Sequence, residues 1–178
     1  MDSLVLSALG YDVLATDTPH VCNSVLRHNI AVNLPTTGGT IQVRELDWNV
    51  DSDKWSWNDP MHITPSGDTS DKSGSNLLAP PFDLIISSDT LYDVSLVQPF
   101  FRTVRALAAS NHEAKPPLLL LALERRDPQL IDTALASAPV PLTQVPMKKI
   151  RKALERAGIR WDMSDWEGVE IWKGWLAV

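Results

Sequence analysis

A single cysteine, Cys22, stands among the 178 residues, so no disulfide can form within the chain and stability must come from a packed core. One thiol without a partner fits a reducing compartment, which points to the cytoplasm and leaves the nucleus open. Long apolar runs are also lacking. Even LLLLAL at 118–123 is far short of the roughly 20 residues that a helix needs to span a bilayer. No charged n-region followed by an apolar stretch opens the chain, so no signal peptide is expected. Positive charge is the scarcer sign, with 16 Lys and Arg against 22 Asp and Glu and a formal net charge of −6. That balance argues against a general binder of nucleic acid or of an acidic membrane surface, and leaves basic protein partners open. The four histidines, His20, His28, His62 and His112, show no ligand-like spacing with cysteine or acids, so no metal site is expected.

What is present is the composition of one globular domain, 1–178, with 44% apolar residues to fill a core. MDSLVLSAL reads as a helix stopped by Gly10, DVLAT as a short strand, and TPHVCNSVLRHNIAVN as a helix with Pro19 early and Val21, Val25, Leu26 and Ile30 near one face. TIQVRELDW is a strand of imperfect pattern, setting Ile41, Val43 and Glu45 against Gln42, Arg44 and Leu46. Residues 49–81 are polar and rich in Gly, Pro and Ser, and read as a flexible surface insertion whose first half is pinned by Trp55, Trp57 and Met61. FDLIISSD has the look of a strand buried on both faces. A helix from near Ser95, the strand LLLLAL, and helices in DPQLIDTALASA and PMKKIRKALERAG follow. IRWDMSDW and GVEIWKGWLAV are read as a closing antiparallel pair. Strands alternating with helices predict an α/β fold, Rossmann-like and doubly wound, with a mostly parallel sheet and a C-terminal antiparallel strand pair.

In open α/β sheets ligands collect beyond the carboxyl ends of the strands. The groups falling there are Asp17, Asp47 with Trp48, Asp89 with Tyr92, and Glu124 with Arg125 and Arg126. An acid after one such strand is commonly a cap or a solvated turn residue. Acids after three strands together point to a nucleoside site, where a carboxylate accepts from ribose hydroxyls and an acid beside an aromatic ring suits adenine. KKIRKALER reads as a solvated basic helix face, with partner docking as its alternative. Cys22 reads as a small buried hydrophobe, and the tail tryptophans as packing residues.

The stretches VLATD (13–17), LRHNIAVN (26–33), VRELDW (43–48), FDLIISSDTLYD (82–93) and LLLLALERR (118–126), in this order, resemble the seven-stranded S-adenosylmethionine-dependent methyltransferases, specifically the protein-lysine branch called methyltransferase family 16. The Leu-Asp-Trp triplet and the Asp-x-x-Tyr spacing of Asp89 and Tyr92 carry most of the specificity. The resemblance implies S-adenosyl-L-methionine as cofactor and a protein lysine amine as methyl acceptor. It implies Asp17 at the ribose, Asp47 and Trp48 at the adenine, and Ser88 along the cofactor wall. Asp89 and Tyr92 would be the catalytic pair where the amine enters, Asp89 orienting it and Tyr92 packing on its alkyl stem.

The chain departs from the family in one respect. No Glu-x-Gly-x-Gly loop precedes VLATD, and Gly38 and Gly39 come too late to replace it. The expectation is a methyltransferase fold without its first strand, whose cofactor binding is weak or absent. Two alternatives accompany the protein-lysine reading: a catalytically inactive remnant that binds a protein partner, and an N-methyltransferase acting on small molecules or other protein nucleophiles. A Rossmann dehydrogenase needs the same glycine loop and leaves LDW and SDTLY unexplained.

Overall fold

The computed structural model describes residues 2–33, 37–65, 76–109, 115–160 and 162–177. The architecture is mixed α/β in two compact units, Met1–Pro80 and Pro81–Val178.

In the first unit, α1 (Asp2–Ala8) stops at Gly10, whose φ of +92° is one that only glycine adopts freely. β1 (Val13–Asp17) pairs in parallel with β2 (Ile41–Glu45), from Val13 opposite Ile41 to Asp17 opposite Glu45. Between them run α2 (Pro19–Val21), a π-helical stretch (Cys22–Leu26) and α3 (Arg27–Asn33). Pro19 opens this run where its missing N–H costs nothing. The two glycines that cannot serve as a cofactor loop have a packing role. Gly39 donates its N–H to the Ser7 carbonyl at 2.9 Å and accepts from the Ser7 hydroxyl at 2.7 Å. A Cβ on Gly39 would lie 2.0 Å from the Tyr11 carbonyl oxygen, so only glycine lets the two backbones meet.

The polar excursion after β2 is folded back in its first half. Glu45 N–H donates to the Met61 carbonyl and Ile63 N–H to the Glu45 carbonyl, each at 2.8 Å, forming a short parallel bridge at His62. Ile63 is fully buried, whereas Met61 is 40% exposed, so the pinning side chain is Ile63 and not Met61. Residues 66–75 of the expected flexible insertion lie outside the described residues.

The second unit holds a four-stranded sheet of order β3-β4-β6-β5, in which β3 is Leu84–Ser88, β4 Leu118–Glu124, β5 Thr143–Gln144 and β6 Val169–Trp175. β3 and β4 are parallel, and β6 is antiparallel to both β4 and β5. Leu119, Leu121 and Leu123 of β4 are buried while alternate residues are half-buried, the period-two signature of a strand with one fully covered face. The expectation that LIISS is buried on both faces is corrected: Leu84, Ile85 and Ile86 are half-buried, because β3 is an edge strand among the described residues. α4 (Val94–Ala109) buries Val97, Phe100, Phe101, Val104 and Ala108, one helical stripe. α5 (Pro128–Ala136) is capped by Asp127, whose Oδ1 accepts from the Gln129 and Leu130 amides, and α6 (Met147–Arg156) follows β5.

The closing antiparallel pair contains β6, but its second member is β5 and not IRWDMSDW. Met163–Trp166 is a 3₁₀ turn, because the Asp162 carboxylate takes the Ser164 N–H at 3.0 Å and its hydroxyl at 2.7 Å, a local bond that competes with strand pairing. Trp161 lies outside the described residues. No helix among the described residues is long and apolar enough to cross a membrane.

Candidate functional site

Parallel pairing sets the carboxyl ends of β1 and β2 side by side, and this brings Asp17 and Asp47 to one edge of the first unit. Leu46 N–H donates to the Asp17 carbonyl at 3.0 Å, so the chain leaves β2 beside the end of β1. The Asp17 carboxylate accepts through Oδ1 from Thr18 N–H at 2.8 Å. The Asp47 carboxylate accepts through Oδ1 from the Asn49 backbone amide at 2.8 Å and side-chain amide at 3.1 Å, which closes the turn carrying Trp48. Both acids are half-buried, and Oδ2 of each makes no hydrogen bond among the described residues. Each can therefore accept two further bonds while staying ionised. Trp48 is half-buried at the same edge.

In the second unit the equivalent edge is formed by β3 and β4. Ser88 ends β3, and Asp89 follows at φ +52°, a left-handed conformation that a non-glycine residue adopts at a cost. Asp89 N–H donates to the Ala122 carbonyl at 2.9 Å, which ties this strained residue to β4. Its carboxylate is open to solvent, with Arg126 Nη2 at 3.9 Å. Tyr92 is 73% exposed. The next residue, Asp93, caps α4, and the bonds it accepts from the Ser95 hydroxyl and amide hold its carboxyl below the usual range.

The three charged residues after LLLLAL divide into two roles. Arg126 pairs with Glu124, its bond lowering the Glu124 pKa, and also faces Asp89, so these three form one cluster. Arg125 turns away from it. The Arg125 guanidinium grips Glu170 of β6 with two bonds, 2.8 and 3.0 Å, and Asp132 of α5 with a third at 2.7 Å. Those bonds raise the Arg125 pKa further and hold Glu170 below the usual carboxylate range. Arg125 is a tie between elements and not a ligand-facing group.

Sequence reasoning passed over a polar cluster in the first unit. Glu45, 4% exposed, accepts from Asn23 Nδ2 at 3.1 Å and lies 2.7 Å from His62 Nδ1. With Glu45 ionised and therefore the acceptor, His62 donates from Nδ1. On the other face of β2, Arg44 is fully buried. It donates through Nη1 to the Trp57 carbonyl at 3.2 Å and lies over the Trp57 ring at 5.6 Å, while its buried Nε and Nη2 have no hydrogen-bond partner among the described residues. Burial pulls its pKa down against the opposing charge of Asp59. Burial works to raise the Asp59 pKa, but the Met61 and His62 amides with the His62 and Arg44 charges prevail and hold it low. The signal was the broken alternation of IQVREL, which puts a charge on each face near the end of β2. Cys22 is fully buried, and burial raises its thiol pKa, as suits a packing residue.

Among the described residues no group of three or more His, Cys, Asp or Glu is placed to hold a metal ion. No protein-family model matches the chain, and no curated protein matches it.

Proposed function

We propose that the chain is a Rossmann-like domain of the seven-stranded methyltransferase class, carrying the nucleoside side of an S-adenosyl-L-methionine site, and that its activity is methyl transfer to a protein lysine amine. The observation that carries this reading is the placement of acids at the carboxyl ends of parallel-paired strands: in the first unit Asp17, the last residue of β1, and Asp47, just past β2, and in the second unit Asp89, at φ +52°, just past β3. The unused Oδ2 atoms of Asp17 and Asp47 suit ribose hydroxyls and an adenine amino group, and Trp48 offers a ring beside them. Gly38 and Gly39 cannot cradle the methionine part, since both pack against backbone. A buried free thiol at Cys22 suits a cytoplasmic or nuclear setting.

When bound, the cofactor supplies an electrophilic methyl group on a sulfonium. The chain's own residues bind and orient. Asp89 attracts the incoming amine, and because a carboxylate favours the charged ammonium it is an orienter and not an efficient base. A lysine must displace Arg126 as the cation facing Asp89. Tyr92, largely exposed, is free to pack along the alkyl stem.

The test is ligand titration followed by a transfer assay. Millimolar adenosine should shift the Trp48 indole resonance of the 178-residue chain. D17A and D47A should abolish that shift; an unchanged shift in both would overturn the nucleoside site. Transfer of labelled methyl to lysine, lost in D89A, would carry the enzyme reading. Nucleoside binding without any transfer would favour the inactive binding module.

A further inference from the structure

The basic helix α6 has a use that methyl transfer does not require. Ile150 is its one buried residue, at 7% exposure, and Leu154 is half-buried beside it. At 100° per residue these two define the inward face, and Lys152 points directly away from it. Lys148, Lys149 and Arg156 flank Lys152 on that outer face, all exposed. Arg151 is neutralised by Glu155 at 2.8 Å, which leaves these four cations uncompensated. None of their side chains makes a hydrogen bond or an ion pair among the described residues. They span about 12 Å along the helix. In a chain of net charge −6, this is a concentration of the scarcer sign at one place.

We propose that the outer face of α6 docks a short acidic segment of a partner protein. The restricted length of the stripe selects among anions. A nucleic-acid duplex or a lipid headgroup plane continues well past 12 Å, and the net negative charge of the chain opposes both. Membrane binding by an amphipathic helix also needs apolar side chains to insert, and Ile150 and Leu154 are already committed to the protein's own packing. An extended peptide advances about 3.3 Å per residue, so a run of about four acidic residues matches the length of the stripe.

The experiment is fluorescence anisotropy of the full chain with a labelled octapeptide holding four consecutive glutamates between Gly-Ser flanks. Saturable binding that weakens as salt rises is expected. K148Q/K152Q should weaken it about fivefold or more, from the loss of two exposed charge contacts. Glutamine matches lysine in helix propensity, so circular dichroism of this variant should be unchanged. R105Q, which removes an exposed charge from α4, should bind as the parent does. The proposal fails if the peptide does not bind or if K148Q/K152Q retains full affinity. It also fails if a DNA duplex or phosphatidylserine vesicles bind more tightly than the peptide.

Discussion

The two units of this chain reach stability by different means. In Pro81–Val178 the buried residues are mostly apolar: Val97, Phe100, Phe101 and Val104 from α4, Leu119, Leu121 and Leu123 from β4, with Ile131 and Leu176. Among the described residues of Met1–Pro80 the buried apolar set is Ala15, Cys22, Leu46 and Ile63, joined by Ser7, Arg44, Glu45 and Thr64. The second unit rests on non-directional burial, which tolerates many arrangements of similar volume. The first rests on directional bonds at the end of β2, which fix one arrangement and are costly to leave half-made. The polar unit is also the one whose strand ends present Asp17 and Asp47.

Single substitutions can break this contrast in order of size. The largest effect is expected for L121A, which opens a cavity beneath β4 and should cost about 2–5 kcal/mol. Amide hydrogen exchange should quicken across β3, β4 and β6; if quickening were confined to residues next to Leu121, the second unit would not be one cooperative core. E45A comes next, at about 1–3 kcal/mol, because it strands the His62 and Asn23 donors. Its signature is faster exchange at the Glu45 and Ile63 amides, with the amides of β4 unaffected. An unaffected Ile63 amide would show that apolar packing alone holds the folded-back stretch.

The smallest effect, and the most specific, belongs to D59N. Asparagine keeps an acceptor for the Met61 and His62 amides but loses the charge, so the cost at neutral pH should stay below about 1 kcal/mol. The folded-state pKa of Asp59 is depressed. Its contribution is therefore complete above the unfolded value of about 3.9 and disappears as pH falls through the lower folded value. Thermal unfolding should show the gap between parent and D59N closing as pH drops below about 4. A gap that persists at pH 2 would mean that the bonds, and not the charge, carry the stabilisation.

The legibility of the fold follows the same division. Periodicity located α4 to within a residue of its start, and Gly10 and Pro19 marked where helices stop and begin, because one local cause dominates at each. IRWDMSDW misled because its tryptophans favour a strand while Asp162 and Ser164 favour a local turn, and the turn prevails. Asp17, Asp47 and Asp89 were legible as strand-end acids, since a strand followed by an acid is a local pattern. That Arg126 faces Asp89 while its neighbour Arg125 holds Glu170 was not legible, for adjacent residues on one loop give no local sign of which way each turns.

The sequence by itself determined the α/β alternation, the parallel pairings that short apolar runs and intervening helices impose, and the placement of acids beyond strand ends. These depend on propensity, period and connection length, all written within a few residues. Tertiary structure alone decided that the strands pair as two sheets, that Ile63 and not Met61 anchors the excursion, and that Glu45 meets His62 across 17 positions. Such contacts depend on which groups compete for one buried space, and burial makes an unmet donor expensive enough to choose the partner.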